Sequence, residues 1–216
     1  VALGGDGFML QTLHLVCNKS VPVYGMNKGT VGFLMNKFSE TNLRNRIYLA
    51  KEEVVYPLKM IATKSDDGKE EGLAINEISL LRSGPQAAHL KISVDGSLRL
   101  KELVCDGALV CTPAGSTAYN YSAHGPILPI GANILALTAM SAYRPRRWRG
   151  ALLPMDARID IEIIDFAKRP VSAVADGVEV KNVKKVSILI EKKIKHRLLF
   201  DPGHGLEERL LKEQFE

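Results

Sequence analysis

A single carboxylate stands in a glycine turn at the start of the chain, where Val1-Ala-Leu-Gly-Gly-Asp6-Gly7 reads as an apolar strand running into a turn. A helical run follows from Phe8 to Cys17, with Met9, Leu10, Leu13, Val16 and Cys17 on one face. Strand, glycine turn and helix together make a phosphate-binding arrangement, because glycine lets a ligand approach the backbone and the first N–H groups of the helix face an anion. The segment is neither a P-loop nor a dinucleotide fingerprint, since it lacks both Gly-Lys-Ser/Thr and Gly-x-Gly-x-x-Gly. A carboxylate beside bound phosphate costs Coulomb energy unless a metal ion or a hydroxyl separates the charges. Asp6 therefore points to phosphoryl chemistry on a substrate hydroxyl. The same residue type is also a common helix cap, and spacing alone leaves both readings open.

Three further segments carry polar groups where packing does not ask for them. Gly29-Thr-Val-Gly-Phe-Leu34 is a second glycine turn. Asn76-Glu77 interrupts an apolar strand, in which consecutive side chains point to opposite faces, so one of the pair can belong to the core. Asp106-Gly107 opens the stretch that continues through Pro113-Ala-Gly-Ser-Thr117-Ala-Tyr-Asn-Tyr-Ser122. On its own, Asp-Gly is a hairpin signal. The residues after it supply hydroxyls, a side-chain amide and tyrosine faces.

In order and spacing these four segments resemble the NAD kinase family, and the resemblance runs the length of the chain. It implies transfer of the γ-phosphoryl group of ATP to the 2′-hydroxyl of the adenosine ribose of NAD, giving NADP. Under it, Asp6 accepts a hydrogen bond from that hydroxyl, Gly7 leaves the nucleotide room, and Phe33 is an apolar wall. Asn76 reaches adenine, Glu77 the ribose region and Asp106 the nicotinamide end. Ala114, Thr117, Ala118, Tyr119, Asn120, Tyr121 and Ser122 line the pocket. Magnesium, or another divalent cation, arrives with ATP on phosphate oxygens, so no protein metal ligands are assigned. The resemblance also implies a homodimer or homotetramer in which a neighbouring subunit completes the site. Lipid kinases and phosphofructokinases share only the first turn, and a non-catalytic NAD(P)-binding module would have no use for Asp6. These are the alternatives.

The elements that must hold these residues fall into two groups. Residues 1–53, completed by 202–216, read as a small parallel α/β domain. Its second strand is Val21–Met26, and Ser39 caps a helix over residues 40–51. Residues 54–201 read as an all-β sandwich of short Val-, Ile- and Leu-rich strands. Asp67-Gly68, Asp95-Gly96, Asp106-Gly107 and Asp176-Gly177 lie between those strands as turns. Residues 115–124 are expected as a polar helix facing a ligand. Residues 207–215 are expected as an amphipathic helix that, by the resemblance, returns to the first domain.

Composition narrows the class further. No apolar run approaches the roughly 18 residues of a membrane span. The net charge of +5 suits a protein that handles polyanionic nucleotides. Arg144-Pro-Arg-Arg-Trp-Arg149 is the densest basic stretch, but no nucleic-acid-binding motif accompanies it, and a loop that binds carboxylates or a nucleotide phosphate is the favoured reading. Cys17, Cys105 and Cys111 form no Cys-x-x-Cys and read as reduced core residues of a cytoplasmic protein. His14, His89, His124, His196 and His204 have no metal-ligand spacing. The sequence opens with Val1 inside a strand, and by the resemblance a further strand and helix precede it.

Overall fold

The computed structural model describes residues 1–17, 19, 21–30 and 32–203. They form two compact units: Val1–Tyr56 with the chain from Lys192 onward, and Pro57–Glu191. The helix expected over residues 207–215 lies outside the described residues.

In the first unit a five-stranded sheet runs in the order Ala2–Gly4, Val23–Asn27, His196–Phe200, Lys51–Val55, with Asn36–Lys37 also paired to Val23–Asn27. The first two strands are parallel, with Gly4 opposite Asn27. Strand His196–Phe200 joins parallel to Val23–Asn27 and antiparallel to Lys51–Val55. Residues 192–201 thus belong with the α/β unit and not, as expected, with the strand-rich one. The first helix spans Asp6–Val16 and buries Met9 and Leu13. The second, expected over residues 40–51, is only Leu43–Leu49 and buries none of its residues. What holds it is Arg46, whose guanidinium donates to the Ser39 and Lys37 carbonyls and to the Asp201 carboxylate.

In the second unit, two six-stranded antiparallel sheets make the expected sandwich. One runs Gly150–Pro154, Ile134–Met140, Gly107–Cys111, Glu77–Arg82, Val171–Ala175, Val178–Val180; the other runs Lys69–Ala74, Leu58–Lys64, Val183–Ile190, Ile159–Ile163, Ala88–Val94, Ser97–Cys105. Strands of the second sheet alternate buried and half-buried residues, as in Ala88–Val94, the pattern of a sheet with one face in the core. Gly107–Cys111 is buried at every position. Its second face is covered too, since Leu109 and Cys111 pack with Leu128, Ala136 and Met140, and Ala123 and Ile134 lie against the same cluster. The polar stretch that follows the strand therefore folds back over the sheet that carries it. Burial pushes the Cys105 and Cys111 thiols up to about 12, which leaves both as inert core groups. Among the described residues no helix is long and apolar enough to cross a membrane.

Asp106-Gly107 is not a hairpin. Asp67, Asp95 and Asp176 take the left-handed backbone conformation of tight turns, with φ of 69°, 51° and 47°. Each joins strands that pair with each other. Strands Ser97–Cys105 and Gly107–Cys111 belong instead to different sheets, so Asp106 is the residue at which the chain crosses between them.

Candidate active site

The α/β unit contributes a cradle made of its two glycine turns. They touch directly: a Cβ built on Gly29 would lie 3.3 Å from the Gly5 Cα, so close backbone approach explains the glycine there. The Lys28 N–H donates to the Gly4 carbonyl at 2.8 Å, and the Asn27 side chain accepts from the Gly29 N–H at 2.8 Å. Asp6 closes the arrangement. One carboxylate oxygen accepts from the Phe33 N–H at 2.9 Å and the other from the Leu34 N–H at 2.8 Å. The capping alternative does not hold: Gly5 occupies the N-cap, Asp6 lies inside the first turn, and no side chain caps the helix. Asp6 instead ties the second turn to the start of the first helix, which fixes the direction of its carboxylate while each oxygen keeps a further lone pair. A Cβ on Gly7 would meet nothing within 4 Å, so the space beside Asp6 is open. Phe33, placed as a wall, contributes at least its backbone N–H to this clasp.

The strand-rich unit holds the remaining candidates on and around Glu77–Arg82 and Gly107–Cys111, which pair antiparallel with Cys111 opposite Glu77. Thr112 follows the second strand, and its hydroxyl donates to the Ile75 carbonyl at 2.7 Å and accepts from the Gly115 N–H at 3.1 Å. Gly115 then passes so close to Asn76 that a Cβ there would lie 2.3 Å from the Asn76 carbonyl oxygen. The expected ten-residue helix is absent because the Ser116 and Ala118 N–H groups close successive tight turns onto the Pro113 and Gly115 carbonyls, leaving only Tyr119–Ser122 helical. The Ser116 hydroxyl donates to the Pro113 carbonyl at 2.7 Å and accepts from the Leu128 N–H at 3.0 Å.

Two polar atoms in this region are buried without a partner: Asn76 Oδ1 and Glu77 Oε2. A buried orphan acceptor costs free energy in an empty site and is a natural place for ligand donors. Glu77 lies in a setting that disfavours charge. Burial, and next the nearby Asp176 carboxylate, raise it from 4.5 to about 7, while the Tyr119 backbone N–H acts in the opposite direction. Asp176 was legible in the sequence only as a turn residue. In the structure its carboxylate accepts from the Ile75 N–H at 2.7 Å and the Asn76 N–H at 3.1 Å, fixing the backbone that carries Asn76 and Glu77.

Asn120 is turned inward. Its amide donates to the Ser116 and Pro126 carbonyls and its oxygen accepts from the Thr138 hydroxyl at 2.7 Å. Its side chain is fully buried, so it holds the loop in shape instead of lining a pocket as expected. Ala114 is buried, Thr117 and Ala118 are half-buried, and Tyr119, Tyr121 and Ser122 are exposed. Asp106, Tyr119 and Ser122 come together, with Arg82, His124 and Met140, around a cavity of about 740 Å³. Asn76, Glu77, Ala114, Thr117, Ala118 and Tyr121 are not among its walls. The arginines of residues 144–149 are exposed on a loop tied to Val104 by backbone hydrogen bonds. No three His, Cys, Asp or Glu side chains converge on a point among the described residues.

The pattern of the ATP-NAD kinase N-terminal domain matches residues 1–48, and that of the ATP-NAD kinase C-terminal domain matches residues 75–198. The chain belongs to the NAD kinase family. The NAD kinase of Cereibacter sphaeroides (strain ATCC 17029 / ATH 2.4.9) is 66% identical over 215 residues, covering 100% of this chain and 85% of the relative. That of Caulobacter vibrioides is 57% identical, covering 100% of this chain and 83% of the relative. Among solved structures, yeast NADH kinase complexed with NADH superposes with a TM-score of 0.84 at 26% identity, over 99% of this chain and 64% of that one. An NAD kinase from Archaeoglobus fulgidus in complex with ATP has the same fold, with a TM-score of 0.79 at 24% identity, over 98% of this chain and 80% of that one.

Proposed function

We infer that this chain is an NAD kinase, transferring the γ-phosphoryl group of ATP to the 2′-hydroxyl of the adenosine ribose of NAD to give NADP. The observation that carries the chemical part is the clasp on Asp6: a carboxylate held at both oxygens beside open space in a phosphate-binding turn. In the transfer, the 2′-oxygen bonds to the γ-phosphorus, the bond from that phosphorus to the ADP oxygen breaks, and the hydroxyl proton leaves toward Asp6. Phosphoryl transfer passes through a loose transition state in which the proton can leave late, so the main task of Asp6 is to orient the hydroxyl. The glycine-turn N–H groups screen phosphate charge. Magnesium, or another divalent cation, enters with ATP and is held mainly by its phosphate oxygens.

The strand-rich unit recognises NAD. Asn76 can donate and accept along the adenine edge, which suits its unpartnered oxygen, and Glu77 takes a ribose hydroxyl on its own orphan atom. Asp106, Tyr119 and Ser122 receive the nicotinamide end, while Ala114, Thr117, Ala118 and Tyr121 shape the approach. Asn120 acts through the loop it braces. The protein works in the cytoplasm, without nucleic-acid or membrane partners, as a homodimer or homotetramer in which a neighbouring subunit completes the pocket. The test is direct: full-length protein with NAD, ATP and magnesium forms NADP, and Asp6→Asn loses several orders of magnitude in kcat with little change in NAD affinity. Equal turnover by that variant would refute the role of Asp6.

A further inference from the structure

The cavity that gathers Asp106, Tyr119 and Ser122 has a carboxylate and a guanidinium on its walls, those of Asp106 and Arg82, and they belong to one ion pair. Arg82 Nε donates to Asp106 Oδ1 at 2.6 Å, and Arg82 Nη1 donates to the Gly84 carbonyl at 2.5 Å, which anchors the guanidinium from its far side. The backbones are locked as well. The Arg82 N–H donates to the Asp106 carbonyl at 3.0 Å, and the Asp106 N–H donates to the Met140 carbonyl at 3.0 Å. Both side chains remain part-exposed, at 34% for Arg82 and 46% for Asp106, so each still meets a ligand in the cavity. His124 and Tyr119 are the other titratable groups on the walls.

We propose that Arg82 is a specificity-determining residue: by neutralising Asp106 it makes the cavity indifferent to the charge of the nicotinamide ring, so that both redox forms of the dinucleotide are accepted. This rests on the reading above that Asp106 receives the nicotinamide end. The oxidised ring carries a positive charge and the reduced ring none. A lone carboxylate on the cavity wall would favour the cation; a lone guanidinium would repel it. With the two paired, the wall has no net charge and the ring is recognised through hydrogen bonds and contact. A unit charge several ångströms away in a half-exposed site discriminates between the two rings by about tenfold.

The experiment compares kcat/KM for NAD and for NADH, with ATP saturating, in the wild-type full-length protein and in Arg82→Gln, Arg82→Lys and Asp106→Asn. The wild type uses both dinucleotides with efficiencies within about tenfold of each other. Arg82→Gln shifts the ratio about tenfold toward NAD, Asp106→Asn shifts it in the opposite direction, and Arg82→Lys, which keeps the charge, leaves it within about twofold of wild type. The ratio is independent of the fraction of folded enzyme, and Asp106→Asn carries the test should Arg82→Gln fail to fold. Ratios that stay put in both charge-changing variants, or that move the same way in both, would overturn the proposal while leaving the kinase activity standing. A wild type confined to one redox form would also overturn it. A wild type that phosphorylates neither form would overturn the activity itself and this inference with it.

Discussion

Replacing Glu77 with Gln should change the pH dependence of stability in a direction opposite to that of most carboxylates. In the folded protein, burial and the Asp176 charge raise Glu77 from 4.5 to about 7, so the folded state holds its proton where the unfolded chain has lost it. Below the unfolded value both states are protonated and the group contributes no pH term. From there up to about 7 the folded state alone keeps the proton, and stability falls as pH rises. Above about 7 both are ionised, and the folded state carries a constant penalty. At about 1.4 kcal/mol per tenfold change in proton affinity, that penalty is about 3 kcal/mol. Glutamine fills the same volume, keeps an acceptor for the Tyr119 N–H and removes the titration. The measured quantity is the unfolding free energy of Glu77→Gln minus that of wild type, from urea denaturation between about pH 4 and about pH 9. The difference should climb by about 3 kcal/mol between about pH 4.5 and about pH 7 and then level off. A difference that is flat with pH, or that falls, would refute the account of Glu77 as a carboxylate buried against another. Bound NAD should reduce the climb if a ribose hydroxyl supplies the missing donor to Glu77 Oε2, because hydrogen bonding favours the charged form.

In Asp6→Asn, one of the Phe33 and Leu34 N–H groups will face an NH2 in place of an oxygen, so hydrogen exchange at these two amides should quicken about tenfold or more while core strands keep their protection. Unchanged protection would show that the clasp does not hold the second turn. Gly115→Ala should cost about 1–3 kcal/mol and weaken NAD binding, since its Cβ would press within 2.3 Å of the Asn76 carbonyl oxygen; calorimetric titration showing wild-type affinity would contradict this. If neighbouring subunits complete the site, mixing inactive Asp6→Asn and Asp106→Ala chains after verified exchange should restore part of the activity. An active monomer in sedimentation would exclude the shared site.

What the sequence made legible was decided by the range of the interactions involved. The glycine turns, the period-two strands and the Asp-Gly hairpins at residues 67, 95 and 176 are local devices, and each could be read from a few neighbours. Asp106-Gly107 has the same local chemistry and a different outcome. Whether a turn closes a hairpin depends on which strands pair, and here Gly107–Cys111 is claimed on both edges by Glu77–Arg82 and Ile134–Met140. The expected helix over residues 115–124 failed for a related reason. Thr112, Ser116 and Asn120 spend their side chains on backbone groups from Ile75 to Leu128, and those bonds replace helical ones. Asp176 and Arg82 stayed hidden because their partners lie 101 and 24 residues away, where no spacing rule reaches. The same two residues hold the groups assigned to substrate: Asp176 fixes the backbone of Asn76, and Arg82 the side chain of Asp106. Sequence motifs thus mark the residues proposed to meet the ligand, while the residues that aim them are set by tertiary pairing.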